Sequence, residues 1–239
     1  MRLKIRLTKD RIELPVNYQA IVQGLIYSAF SKEGYGKFLH DEGYRGEKRK
    51  FKMFVFSNLF GKFRLEDKKL IYENYVEFYI GSQSERFVQQ VYEFFIHQEC
   101  VKLGINKLKV DTIQIENLPY FSEKKNVWIQ MLSPVTAYKV NEDGKFVYYK
   151  PTDPEFEEMC IQNLEEKARA WNMKEFSAQL KIQEIEFEKK RIAHFKNTFY
   201  ITYMTKMKVL VDYPTLLLLW NTGMSSKGSA GFGMIRVSL

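Results

Sequence analysis

Apolar and polar residues alternate from the start of the chain. Leu3, Ile5 and Leu7 fall on one side, and Arg2, Lys4 and Arg6 on the other. That pattern predicts a half-buried strand with a basic row opposite the core. The period then changes. Tyr18, Ile21, Val22, Leu25, Ile26 and Ala29 recur at helical spacing, with Asn17 at the N-cap position. Strands are expected over 51–57 and 75–80. Ser82-Gln83-Ser84-Glu85 has capping-box spacing and opens a helix carrying Phe87, Val88, Val91, Phe94 and Phe95. Leu108, Val110, Ile113 and Ile115 alternate imperfectly as a further strand. The order is βαββαβ.

Residues 117–126 keep neither period and read as a linker. Beyond them comes a strand over 127–132, extended by a hairpin turning at Asn141-Glu142-Asp143-Gly144. Asp153-Pro154 is a strong helix start, and Phe156, Met159, Cys160, Leu164 and Ala168 form its apolar stripe. Strands over 180–187 and 199–211, a short apolar helix over 214–221 and a last strand over 231–239 complete a second βαββαβ. The fold class is therefore α+β: two tandem ferredoxin-like domains, 1–118 and 126–239, the second with a C-terminal glycine-rich loop.

Charge narrows the partners. Among 239 residues, 37 Lys and Arg face 29 Asp and Glu, a formal charge of +8, and there are 15 Tyr and 19 Phe. Such a chain suits a polyanion that offers phosphates and flat bases. A basic protein with a Phe-rich core has the same composition, because net charge does not speak to fold. The two cysteines, Cys100 and Cys160, are too far apart for a zinc knuckle and too few for a disulfide framework, which points to a reducing compartment. The basic alternation at the N-terminus is unlike a signal peptide. No apolar run approaches the ~20 residues that cross a bilayer. The expectation is a cytoplasmic protein with no membrane contact.

The most distinctive segment runs from Gly223 to Gly233, with four glycines and three serines in eleven residues. Glycine allows positive φ and close backbone approach. Exposed N–H groups there would form an anion nest, to which Lys227 adds charge. The flanking order, helix then strand, excludes a dinucleotide fingerprint, and the spacing excludes a Walker loop. Gly223-Met224-Ser225, five residues including Lys227, then Gly231-Phe232-Gly233 resembles the C-terminal signature of the CRISPR-associated endoribonucleases that process repeat RNA, with Ser225 in place of one glycine. Gln23–Tyr27, Phe38–His40 and Phe51–Ser57 follow the order of that family's N-terminal half. The resemblance implies two ferredoxin-like domains. It also implies an active site of a Tyr on the first helix, a His after it and a Lys opening the next strand, here Tyr27, His40 and Lys52. By the same resemblance, the RNA 2′-hydroxyl attacks the adjacent phosphorus without metal or cofactor, leaving a 5′-hydroxyl and a 2′,3′-cyclic (or 3′) phosphate. The partner is CRISPR repeat RNA, with a CRISPR effector complex as a further one; monomer and homodimer both fit.

The residues carry part of this by themselves. Tyr27 falls about 180° from Tyr18 on the first helix, pointing away from its core. His40 lies in a polar loop between Gly34 and Gly46, and imidazole titrates near neutral pH. Which of Tyr27 and His40 is acid and which base stays open. Lys52 follows Arg45, Lys48, Arg49 and Lys50; five cations less Glu47 give +4. The RNA track expected is this patch, the segment Lys189, Lys190, Arg191 and Lys196, and the loop with Gly223, Lys227, Gly228, Gly231 and Gly233. His40-Asp41 lacks the further ligands a metal phosphohydrolase needs; His97 and His194 sit outside acidic clusters. Two other readings remain: a non-catalytic repeat-RNA-binding protein or structural subunit of an effector complex, and a small-molecule enzyme with a deep apolar pocket.

Overall fold

The computed structural model describes residues 1–47 and 49–238. Its first half contains β1 (Arg2–Pro15), α1 (Gln19–Tyr27), α2 (Tyr35–Lys37), β2 (Tyr44–Arg45), β3 (Lys50–Phe51), β4 (Phe54–Phe56), β5 (Phe63–Glu66), β6 (Lys69–Ser82), α3 (Glu85–His97), β7 (Cys100–Leu103) and β8 (Asn106–Glu116). The second contains β9 (Lys125–Met131), β10 (Ala137–Val140), β11 (Phe146–Tyr149), α4 (Pro154–Ala170), β12 (Leu180–Phe195), β13 (Thr198–Val211), α5 (Tyr213–Thr222) and β14 (Ile235–Ser238).

Two antiparallel sheets carry the halves. The first is ordered β4-β6-β1-β8-β7, with β5 also on β6; the second is β12-β13-β9-β14. In each, the opening strand is central and the second strand of the βαββαβ unit lies at an edge, which is ferredoxin-like topology. Each sheet has its own core. One gathers Leu3, Ile5, Leu7, Val22, Ile26, Phe78, Phe87, Val91 and Phe95. The other gathers Val127, Ile129, Phe156, Cys160, Leu164, Val209, Leu216 and Ile235. Cys160 is a core residue whose thiol burial pushes up to about 12, as its place on an apolar stripe predicts.

Several local expectations are corrected. Asn17 does not cap α1: the cap is Tyr18, with no side-chain bond, and Asn17 Nδ2 instead donates to His194 Nδ1. α3 is capped by Ser84, which accepts from Phe87 N, because Ser82 is spent on Met53 O. The strand expected over 51–57 breaks after Phe51, where Met53 takes a positive φ of 55°. The hairpin turning at 141–144 does not extend the second sheet; β10 and β11 form a sheet of their own. The final strand starts at Ile235, since Gly231 and Gly233 hold left-handed φ.

The basic row of β1 is only partly a solvent face. Arg2 is fully buried: its guanidinium donates to Trp220 O and Ile235 O of the second half. It also lies 3.5 Å from the Trp220 ring centroid. Alternation identifies a second face but cannot reveal that another domain covers it. Lys4 and Arg6 share Glu77 at 3.2 and 3.0 Å.

The glycine-rich loop is the other seam. Gly223, Gly228, Gly231 and Gly233 are all buried, so the expected set of exposed N–H groups is corrected. The N–H groups of Gly223, Gly231 and Gly233 donate to Leu219 O, Gly228 O and Pro134 O. A Cβ on Gly231, at φ 85°, would stand 2.6 Å from the Phe56 ring of β4. Left-handed backbone and overpacking together make Gly231→Ala cost about 3 kcal/mol, lowering Tm by about 10 °C. Gly24→Ala, on the open face of α1 with nothing within 4 Å, raises stability by about 0.5–1 kcal/mol. Thermal melts of the two variants should move in opposite directions.

Candidate active site

α1 ends at Tyr27, and the chain returns through α2 and a π-helical turn, Phe38–Glu42. This fold-back corrects the expectation that Tyr27 points away from its core. Tyr27 packs at the margin of the first core, with its ring 5.9 Å from Phe54 and 5.6 Å from His40, both edge-on. Burial pushes its phenol up to about 12, and at neutral pH it carries its proton. Its hydroxyl points to Leu39 O at 3.5 Å.

His40 is 73% exposed, and its Nδ1 lies 2.7 Å from Asp41 Oδ1. A carboxylate only accepts, so Nδ1 is the donor of this bond, and in the neutral imidazole Nε2 keeps the lone pair. The imidazole holds the Asp41 carboxyl below the usual range. Asp41, expected only as a candidate metal ligand, instead bonds the imidazole.

Lys52 donates from Nζ to His40 O at 2.7 Å. Burial lowers its pKa. Gly43 makes this approach possible, because a Cβ there would meet Phe51 O at 2.5 Å and Lys52 Cδ at 3.0 Å. Tyr27, His40 and Lys52 are thus in one place although 26 residues span them. Tyr27 and His40 line a cleft of about 580 Å³ with Ser28, Phe30, Lys37 and Asp41. Lys52 sits behind it, on the main chain of His40.

The cationic patch borders this site. Arg45 and Lys50 pair across β2 and β3, and Arg45, Arg49 and Lys50 are exposed; Lys48 lies outside the described residues. Glu47 reaches Arg169 of α4 at 3.6 Å, and Tyr44 packs on Trp171 at 4.7 Å, so the second domain anchors this ribbon. Lys189, Lys190 and Arg191 are exposed along β12, and Lys196 lies at the turn after it. Asn17 and His194 tie that hairpin to α1, and Gln23 Nε2 donates to Ser229 O. Lys227 Nζ lies 5.8 Å from the Tyr200 ring.

Two further groups lie outside the expected residues. Lys167, 3% exposed, donates from Nζ to Thr222 O, Gly223 O and Ser225 O at 3.2, 2.6 and 3.1 Å. It holds the glycine loop, which packs on β4, the strand that begins two residues after Lys52. Nothing in its helical neighbourhood signals this. The second group is a basic surface between the two sheets. Arg236, Gln130 and Lys206 form one row across the second sheet, and Ser238, Trp128 and Lys208 the next. Lys4 pairs with Tyr79 on the first, and Arg236 Nη2 donates to Tyr79 OH at 3.2 Å. The period-two cations Lys206, Lys208 and Arg236 were its legible signal. Among the described residues, no group of three His, Cys, Asp or Glu side chains could hold a metal ion.

Comparison with known proteins adds a family. The family described as "CRISPR associated protein Cas6, C-terminal" matches residues 116–237. The "CRISPR-associated endoribonuclease Cas6 1" of Methanocaldococcus jannaschii is 26% identical over 244 aligned positions, covering 98% of this chain and 92% of that protein. A solved structure from "a Cas6-related gene from Pyrococcus furiosus" superposes with a TM-score of 0.82 at 21% identity, covering 100% of this chain and 98% of that one. Another, "An RAMP protein binding different RNA substrates", gives 0.80 at 21% identity over 100% of both chains. These likenesses show a common fold.

Proposed function

We propose, from the premise that this chain belongs to the CRISPR-associated Cas6 family, that it is an endoribonuclease that cuts CRISPR precursor RNA within its repeats. The observation that supports this most is the meeting of Tyr27 and His40 at the edge of a cleft, with Lys52 bonded to the His40 main chain and a cationic ribbon alongside. His40 Nε2 takes the proton of the 2′-hydroxyl as that oxygen attacks phosphorus. Tyr27, a protonated phenol at neutral pH, gives its proton to the leaving 5′-oxygen, which departs as a hydroxyl. The Lys52 ammonium stabilises charge developing on the phosphorane. The products are a 5′-hydroxyl end and a 2′,3′-cyclic (or 3′) phosphate, and no metal takes part.

RNA would lie along Arg45, Arg49 and Lys50, reach Lys227 and the Lys189–Lys196 segment, and continue over Lys4, Lys206, Lys208 and Arg236. The buried glycines support this track by packing, not by contact. Phosphate contacts of this number make affinity fall steeply with salt, by about one unit of logarithmic slope per displaced contact. No helix among the described residues is long and apolar enough to cross a membrane, and we place the protein in the cytoplasm with its transcript.

The decisive assay is incubation with repeat RNA in excess EDTA, followed by analysis of the cut ends. Cutting that leaves a 5′-hydroxyl and a cyclic phosphate is expected. Tight binding without cutting would instead make the chain a repeat-RNA-holding subunit.

A further inference from the structure

The hairpin β10–β11 stands outside both main sheets. Its register pairs Tyr138 with Tyr148 and Val140 with Phe146, and partners opposite one another, like residues two apart, share a face. One face therefore carries Tyr138, Val140, Phe146 and Tyr148. The other packs Ala137 and Tyr149 onto the second core.

The rings on the first face adjoin. Tyr138 is 4.9 Å from Phe146, 5.5 Å from Tyr148 and 6.2 Å from Tyr200, and Tyr200 is 5.8 Å from Phe232 in the glycine loop. Exposure rises along the strip, from 0% at Phe232 and 7% at Tyr200 to 44% at Phe146 and 56% at Val140. Tyr148 OH donates to Phe199 O at 3.2 Å, and the 67% exposed Phe199 ring lies 4.5 Å from His194. A phenylalanine held in water at the end of a two-stranded ribbon adds little to any core; an apolar patch of this kind marks a contact surface.

The strip begins at the loop that packs on β4, beside the candidate active site, and leads outward. Its cations are at the inner end, where Lys227 lies near Tyr200 and Lys196 near Phe195. At the tip, Glu142 and Asp143 balance Lys139 and Lys145. Phosphate attraction at the base and uncharged π-faces beyond it match an unpaired nucleic-acid strand, whose bases stack on aromatic rings without regard to sequence. We propose that the Tyr138–Phe146–Tyr148 face is a stacking site for unpaired nucleobases of RNA running out of the cleft. The assignment rests on the RNA-processing reading above.

The test uses the full chain and a repeat RNA with a single-stranded extension that carries 2-aminopurine at successive positions. In the wild-type protein, binding should quench the probe at one or two positions. Phe146→Ala and Phe146→Leu should remove the quenching and weaken binding about tenfold, with the salt slope unchanged because no phosphate contact is lost. Phe146→Trp should retain both. Val147→Ala, on the opposite face of the hairpin, should behave as wild type. Phe146→Leu keeps apolar bulk, so full affinity and unaltered quenching in that variant overturn the proposal while leaving cleavage, and with it the enzyme reading, intact. A wild-type dimer that Phe146→Ala converts to monomer at unchanged RNA affinity overturns it in favour of a protein interface. A wild-type chain that neither binds nor cuts repeat RNA removes both readings.

Discussion

His40→Ala slows single-turnover cleavage of repeat RNA by at least about 100-fold, the usual weight of a general base, and leaves RNA affinity within about twofold. The structure separates the two effects. The His40 side chain is 73% exposed, so its loss opens no core cavity and shifts stability by less than about 0.5 kcal/mol. The bond to Asp41 at 2.7 Å fixes the tautomer that leaves Nε2 able to accept a proton. Asp41→Asn should therefore slow the reaction too, by about tenfold, because it loosens that preference without removing the base. Rates are best read at saturating enzyme, where binding does not enter. A His40→Ala variant cutting at the wild-type rate would take His40 out of the chemistry and leave Tyr27 and Lys52 without a base.

A single 2′-deoxy nucleotide at the scissile position abolishes cutting altogether, and the modified RNA still binds. The attacking group belongs to the substrate in the proposed reaction, so removing it leaves no nucleophile, whatever the protein does. Affinity should change little, since phosphate and sugar contacts spread over Arg45, Arg49, Lys50 and the basic surface dominate binding. The modified RNA should compete with the natural one at nearly equal concentration. If it is cut, water is the nucleophile and the assignment of His40 as base to a 2′-hydroxyl falls.

Much of the architecture was legible because long apolar stripes are robust to local detail. Leu3, Ile5 and Leu7, the α1 stripe from Tyr18 and the α4 stripe from Phe156 are buried or half-buried where periodicity puts them, and both βαββαβ orders follow. What failed depends on contacts distant in sequence. No local pattern says that Arg2 meets Trp220, that Ser82 is taken by Met53, or that a glycine-rich segment is crowded and not open. The strand break at Met53 is a backbone choice enforced from outside, since Gln83 N and Ser82 Oγ both bond Met53 O. At the candidate site, three residues were placed by a family pattern, and the structure brings them together. Asp41 was missed because it acts through one specific partner, His40, and Lys167 because its three carbonyl partners lie more than fifty residues away.

The burial of Arg2 has a thermodynamic consequence. If the halves part, the guanidinium loses Trp220 O and Ile235 O, and those carbonyls lose their donor. Hydrogen bonds to a charged group contribute about 1.5–3 kcal/mol, so their loss disfavours any species with one half folded and the other melted. Heating should accordingly produce one cooperative calorimetric peak for the whole chain, and Arg2→Met should split it into two.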